Sequence, residues 1–234
     1  MLFVNSGTTR LEPAFAAGVL VALLFLVGAD TPRAQASAQV RGRVTIGIPV
    51  STRRPTNAYS RAAQATNLAP VSELRNVIVY LKDATRTSVR PSRAEIRQLN
   101  ETFIPRAVAV TVGSEVGFPN ADPFYHNVFS LSRPRTFDLG RYPTGQTRTV
   151  RFDKPGLVKV FCQIHSHMSA AVMVFDHPWF AVPDEEGRFS LADVPAGAHQ
   201  LVAWHERLGE TVSDVQVESG RASPVDFVLP VPKQ

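Results

Sequence analysis

Hydrophobic and polar residues alternate along most of this chain, in short runs bounded by Gly, Pro, Asn and Asp. This period of two predicts β-strands, whereas an amphipathic helical pattern is almost absent. The predicted strands are 40–48, 76–82, 107–112, 115–119, 128–132, 146–152, 156–161, 171–175, 187–190, 199–204, 212–217 and 224–229. Residues 91–100, PSRAEIRQLN, are expected to form a short helix or a loop. So many short strands predict an all-β fold class built from β-sandwiches.

A different pattern occupies the N-terminal region, where an uninterrupted apolar run covers residues 14–29. Arg10 precedes the run, and the small-residue triplets AQA and ASA follow it within residues 34–38. This order is typical of a secretory signal sequence. The run is shorter than the roughly twenty residues that span a bilayer. We therefore predict a signal peptide over residues 1–38 and a periplasmic or secreted mature protein, attached to a membrane only if this segment stays uncleaved.

The net charge of +5 is distributed unevenly along the 234 residues, which bears on the partners. It is +8 over residues 37–106, +2 over residues 107–176 and −5 over residues 177–234. The basic excess lies in polar stretches at 51–68 and 84–97, which predict solvated loops. No nucleic-acid partner is expected, because the chain lacks a basic stripe studded with aromatic residues and carries an export signal. A docking patch for an acidic protein or a membrane surface is the alternative interpretation of these loops.

Candidate metal ligands are concentrated in one stretch, FCQIHSHMSA, at residues 161–170. It offers Cys162, His165 and Met168 from a single loop between two predicted strands. His126 follows a predicted turn upstream, and two loops at the same end of a sandwich would bring it to the other three. Two imidazoles, a thiolate and a thioether select copper, and this set is typical of blue-copper electron-transfer sites. The sequence therefore predicts one mononuclear copper site.

Other interpretations compete with this one. Cys162 could be a buried structural cysteine, although exported proteins normally use cysteines in disulfide pairs. Zinc could occupy a site of one cysteine and two histidines, but a thioether adds little for zinc. His167 is expected to be an exposed neighbour rather than a replacement axial ligand, and Met173 to pack rather than bind metal. About 20 Å of strand separates His199 from His205, so they are not expected to share a metal, and both are expected to be surface histidines.

Several motifs resemble the cupredoxins. They are Phe103-Ile104-Pro105, the run VAVTVGSEVGFPN, the His-Asn-Val triplet at His126, and the Cys-x2-His-x2-Met loop at Cys162, which is most similar to that of amicyanin. Residues 137–142 also resemble bacterial proteins described as methylamine-utilisation proteins. The resemblance covers residues 103–175, about a third of the chain.

What this resemblance implies is a Greek-key β-sandwich holding one type 1 copper through His126, Cys162, His165 and Met168. It further implies that Asn127 ties the two ligand loops together. The ring edge of His165 would be the route by which the electron enters and leaves.

The acidic C-terminal part resembles a second kind of β-sandwich. Residues 184–220 are similar to carboxypeptidase-regulatory-like, transthyretin-like domains, which are grouped with carbohydrate-binding-like folds. The first strand of such a domain, V-x-G-x-V, stands at residues 40–44. Our hypothesis is that residues 40–83 pair with the C-terminal strands, so that the cupredoxin is an insertion. The predicted divisions are 39–95 for the N-terminal strands and Arg-rich loop, 96–176 for the cupredoxin and 177–234 for the smaller sandwich.

These observations predict an exported one-electron carrier acting between periplasmic redox proteins, not an enzyme. No carboxylate or base in the ligand loops is obviously placed to act on a substrate, and six histidines are too few for a multicopper cluster. The alternative function is a carbohydrate- or protein-binding module, with carbohydrate bound by the C-terminal domain and copper kept for structure or storage. A copper carrier with an exchangeable site is a third interpretation.

Overall fold

The computed structural model describes residue 2 and residues 38–47, 72–82 and 84–230. Apart from a 3-10 turn at Glu73–Asn76, every regular element in these ranges is a β-strand. The strands are β1 Gln39–Ile46, β2 Val77–Leu81, β3 Arg93–Glu95, β4 Arg97–Gln98, β5 Phe103–Ile104, β6 Ala107–Thr111, β7 Ser114–Pro119, β8 His126–Ser132, β9 Arg135–Tyr142, β10 Thr147–Phe152, β11 Gly156–Phe161, β12 Ser169–Phe175, β13 Phe180–Ala181, β14 Arg188–Leu191, β15 Gly197–His205, β16 Gly209–Val217, β17 Ala222–Pro224 and β18 Phe227–Leu229. The predicted all-β fold class is confirmed.

Two parts of the sequence interpretation fall outside these ranges. The signal peptide predicted over residues 1–38 and the Arg-rich stretch at 51–68 lie almost wholly or wholly among residues that the structure does not describe. None of the described residues forms a helix long and apolar enough to cross a bilayer.

The predicted strands recur with shifts of a few residues, although the two-residue strands β5 and β13 were not predicted and two longer segments differ. Strand β9 was not predicted, because it is an edge strand of its sheet and its residues are mostly exposed polar ones. Residues 91–100, expected as a helix or loop, contain β3 and β4 instead. Ala94, Ile96 and Gln98 point inward at every second position, and Ile96 and Gln98 are fully buried.

The middle of the chain forms one sandwich, here called the inserted sandwich. Its larger sheet has the order β6-β12-β11-β8-β9 and its smaller sheet the order β10-β7-β3. The inward positions of both sheets are almost all apolar, and their burial supplies the main stabilising free energy. They are Val108, Val110, Val116, Phe118, Val128, Val150, Phe152, Val158, Val160, Val172 and Val174. Strand β3, which the sequence analysis assigned to the segment 39–95, belongs here because it pairs with β7.

Strands from both ends of the described chain form a second sandwich, here called the outer sandwich. β1 pairs with β14, β17 and β18, while β13, β2, β15 and β16 form the facing sheet. Among the described residues, β1 and β2 thus pair only with strands that follow the inserted sandwich. This is the pairing that the insertion hypothesis requires. The resemblance of the outer sandwich to transthyretin-like domains stays a prediction.

The two sandwiches pack through strands that are buried on both faces. In β2, Val77, Val79 and Leu81 face the outer core, whereas Ile78 contacts a cluster that includes Met173 and Phe175 of β12. The alternate residues of β12 face the inserted core. Continuous apolar runs such as VIVYL and AAVMVF are therefore explained by two-sided burial. Met173 belongs to this packing, as predicted, and is not part of the candidate site.

His205 is a correction to the sequence interpretation. It was expected on the surface with His199, but it is 2% exposed at the end of β15. Its Nε2 atom donates to Glu73 Oε2 at 3.2 Å, and its Nδ1 atom accepts hydrogen bonds from the amides of Arg207 and Leu208. His205 thus attaches the 3-10 turn to the outer sandwich. His199 is half-buried, and its Nε2 lies 2.8 Å from the carbonyl oxygen of Pro195.

We expect Glu73→Gln to destabilise the protein at neutral pH and to have progressively less effect in acid. The hydrogen bond from His205, assisted by Asn76 and Arg207 and opposed by burial, lowers the pKa of Glu73 from 4.5 to about 2. A carboxyl whose pKa is depressed by folding contributes stability above pH 4.5, and this contribution is lost as the pH falls towards 2. Urea unfolding of both proteins across this range measures the difference. A difference that does not shrink in acid would contradict the assignment.

Candidate metal centre

A short turn between β7 and β8 places His126 at one end of the inserted sandwich. Asn120, directly after β7, donates from Nδ2 to the carbonyls of Phe124 and Tyr142 and accepts the amide of Asp122 at Oδ1. These bonds close the turn, so that β8 begins with His126 opposite Tyr142 of β9. His126 is fully buried.

A hydrogen-bonded network supports this turn from beneath. Tyr142 donates from its hydroxyl to the Phe118 carbonyl at 2.9 Å and accepts from Gln98 Nε2 at 2.6 Å. Burial raises the pKa of Tyr142 well above its ordinary value, so the phenol stays neutral and remains a donor. The network therefore keeps one hydrogen-bonding pattern over the accessible pH range.

The second ligand loop runs from Cys162 to Met168, between β11 and β12. The amide of Met168 donates to the carbonyl of His165 at 2.9 Å, and the amide of Cys162 donates to the carbonyl of Met168 at 3.4 Å. These two main-chain hydrogen bonds therefore close the loop into a tight turn. Its conformation presents the side chains of Cys162 and His165 to the same interior point.

Asn127 ties this loop to β8, as the resemblance to cupredoxins implied. Its Oδ1 accepts the amide of Gln163 at 2.7 Å, and its Nδ2 donates to Asp138 Oδ1 at 3.0 Å. Asp138 also accepts the amide of Gly140 and so joins β9 to the same assembly. One side chain thus fixes the two ligand-bearing loops relative to each other.

His126, Cys162 and His165 converge. The Nδ1 atoms of the two histidines are 3.1 Å apart, and Cys162 Sγ lies 3.8 Å from His126 Nδ1 and 3.9 Å from His165 Nδ1. Bonds of about 2.0–2.3 Å to imidazole nitrogen and thiolate sulfur put the ligands of one ion roughly 3–4 Å apart. The spacing and the donor set therefore fit a single metal ion. Among the described residues, no other group of three or more His, Cys, Asp or Glu side chains has potential ligand atoms this close together.

Met168 and His167, the two candidates for a fourth ligand, differ sharply in environment. Met168 is 1% exposed and packs in the same core cluster as Cys162. His167 is exposed, and its Nε2 lies 3.6 Å from Glu101 Oε2. Its ring is therefore engaged at the surface, as expected of an exposed neighbour.

The centre is buried on most sides but meets the surface at His165. Cys162 and His126 are buried, whereas His165 is half-buried. The Phe124 ring covers both imidazoles, with centroid distances of 5.2 Å to His126 and 5.6 Å to His165. An ion at this point would be shielded from bulk water while one of its ligands remained accessible.

Asp122, in the turn that precedes His126, is a residue of the site that was not selected from the sequence. Its Oδ2 lies 2.7 Å from His126 Nε2, and both side chains are buried. A carboxylate is an acceptor only, so His126 carries its proton on Nε2 and directs the Nδ1 lone pair to Cys162 and His165. The spacing Asp-x3-His was the sequence feature from which this contact could have been predicted.

Comparisons with known proteins add a structural likeness. A copper-containing nitrite reductase from Thermus scotoductus is 22% identical, with a TM-score of 0.35, and the match covers 39% of this chain and 25% of that one. A purple cupredoxin from Nitrosopumilus maritimus is 22% identical over 35% of this chain and 99% of its own, with a TM-score of 0.33. Amicyanin from Paracoccus versutus is 17% identical over 42% of this chain and 97% of its own, with a TM-score of 0.32.

No protein-family profile matches the chain, and no curated protein sequence matches it. This chain spans only about a quarter of the nitrite reductase.

Proposed function

We propose that this protein is an exported type 1 copper protein that carries single electrons between redox proteins. The observation that carries the proposal is the buried convergence of two imidazole Nδ1 atoms and one thiol sulfur within 3.9 Å. This donor set favours copper over harder ions. The buried thioether of Met168, in the same core cluster as Cys162, supports copper over zinc as the occupant.

His126, Cys162, His165 and Met168 would hold the ion. Bound copper would supply a one-electron couple between its two oxidation states. The chain contributes a rigid frame, since Asn127 joins the loops and Asp122 holds the His126 ring. Rotation of the His126 ring or displacement of the loop at Gln163 would break a hydrogen bond, so the frame keeps the geometry nearly constant and the reorganisation small.

The proposed partner is a protein that docks at His165. Three apolar side chains near this ligand are exposed, namely Phe124 at 38%, Tyr125 at 57% and Ile164 at 40%. Phe124 and Tyr125 directly precede His126, Ile164 directly precedes His165, and the Phe124 ring centroid lies 5.6 Å from that of His165. Aromatic residues at the centre of a contact are typical of protein interfaces. An electron passing through the His165 ring would then cross a water-poor contact.

Voltammetry of the copper-loaded protein tests the proposed function. We expect one copper per chain, a visible absorption that ascorbate bleaches and ferricyanide restores, and one reversible one-electron couple. The zinc-loaded protein is the control, because it has the same ligands and no accessible couple. A protein that retains zinc against copper, or whose bound copper cannot be cycled, would rule the proposal out.

A further inference from the structure

A buried carboxylate, Asp122, stands directly behind the proposed ligand His126. Its side chain is 3% exposed, and its Oδ2 accepts the Nε2–H of His126 at 2.7 Å. Among the described residues, it makes no ion pair with Lys or Arg. The negative charge is therefore balanced by the imidazole and by main-chain dipoles alone. Burial of a charged group costs free energy unless hydrogen-bond donors compensate for the water that is lost.

Two main-chain amides complete the environment of this carboxylate. The amide of Asn100 donates to Asp122 Oδ1 at 2.6 Å, and that of Glu101 donates to Oδ2 at 3.0 Å. With His126, three donors thus point to one carboxylate. A carboxylate that accepts this many hydrogen bonds is held in one orientation.

The hairpin that supplies these amides has an unusual backbone. Asn100 and Glu101 both have a φ of 53°, between the paired Leu99 and Thr102. Two consecutive left-handed residues are typical of a type I′ turn, but that conformation is unfavourable for a glutamate. The turn brings both amides to the same carboxylate. The hairpin between β4 and β5 is therefore a cradle for Asp122 as well as a connection.

We propose that Asp122 is a positioning residue that biases the site towards the oxidised metal ion. This inference rests on the proposed function. The carboxylate increases electron donation from His126 Nδ1, because it accepts a hydrogen bond from the N–H of the opposite ring nitrogen. Its charge also attracts a doubly charged ion more strongly than a singly charged one, and burial limits screening. Both effects stabilise Cu(II) relative to Cu(I) and lower the reduction potential.

The test compares Cu(II) and Cu(I) affinities in the wild-type protein and in Asp122→Asn, which keeps the shape of the side chain. The Cu(II) affinity should fall by about 10–100-fold, as for other hydrogen-bond partners of metal ligands. The Cu(I) affinity should change much less. For each factor of ten by which the loss of Cu(II) affinity exceeds the loss of Cu(I) affinity, the reduction potential of the variant rises by about 59 mV. Equal losses of both affinities, or no loss, would overturn the inference.

Glu101→Gln is the matched control for charge. It removes a carboxylate from the same hairpin but leaves the amide that donates to Asp122 in place. The Glu101 side chain is about half exposed beside His167, so its charge is screened. Its replacement should shift the ratio of the two copper affinities far less than Asp122→Asn does. A shift of equal size would assign the effect to general charge and overturn the role of Asp122.

A measurement on the metal-free wild-type protein keeps the inference testable if Asp122→Asn does not fold. Nitrogen NMR of His126 should show a proton on Nε2 and none on Nδ1. The opposite tautomer would overturn the inference. A wild-type protein that binds no copper or cannot cycle it refutes the proposed function, whereas unchanged affinity ratios in a cycling Asp122→Asn protein refute only the role of Asp122.

Discussion

Cys162→Ala should abolish the visible absorption of the copper-loaded protein completely. The intense band of a type 1 site arises from charge transfer between the thiolate and Cu(II), and Cys162 is the only cysteine in the chain. The loss of Cu(II) affinity should exceed the roughly 10–100-fold that replacement of an outer hydrogen-bond partner causes. Absorption spectroscopy and competition with a chelator of known affinity measure both effects.

His167→Ala is the control for this experiment. It removes an imidazole, a group that is able to bind metals, from the same loop. This imidazole is exposed and directed to Glu101. The colour and copper affinity of the variant should stay close to those of the wild-type protein. Retention of the band in Cys162→Ala, or its loss in His167→Ala, would contradict the ligand assignment.

Gly42→Ala should destabilise the protein by about 3 kcal/mol or more, because it forces overpacking against main chain that cannot move freely. A Cβ atom on Gly42 would lie 1.7 Å from the carbonyl oxygen of Val225 and 3.0 Å from Phe189 Cε1. The amide of Val225 donates to the Arg41 carbonyl, so separation of the two segments would also break a hydrogen bond. Thermal and urea unfolding followed by circular dichroism measure the change.

Gly47→Ala is the matched control, because Gly47 directly follows the last residue of β1. The nearest atoms to its added Cβ would be 3.4 Å away, an ordinary contact distance. Its unfolding midpoint should therefore remain near that of the wild-type protein. Equal stabilities of Gly42→Ala and the wild-type protein would show that β1 does not pack against residue 225 as described.

Strand periodicity was the most readable part of the fold. The runs at β7, β10 and β11 have one inward and one outward face, so alternation identifies them directly. Strand β9 was missed, since it is an edge strand in which five of eight residues are exposed and Phe137 and Leu139 are only partly buried against the core. The runs VIVYL in β2 and AAVMVF in β12 show no alternation, and a sequence cannot tell which of their faces meets which core.

The candidate site was likewise predicted from the sequence only in part. One loop contains Cys162, His165 and Met168, so their spacing in the sequence was sufficient to predict that they lie close together. His126 was added on the assumption that two loops lie at the same end of a sandwich, and its distances to Cys162 and His165 agree with that assumption. Asp122 was not selected, because a carboxylate in a turn normally serves only its own main chain.

The sequence by itself determined the all-β class, the soft donor set and the loop that presents most of it. These properties depend on local periodicity and on residue type, which neighbouring positions specify. Tertiary structure alone decided that β2 and β12 are buried on both faces and that Asp122 holds His126. Such contacts join residues far apart in the chain, and they depend on register and packing that local sequence does not encode.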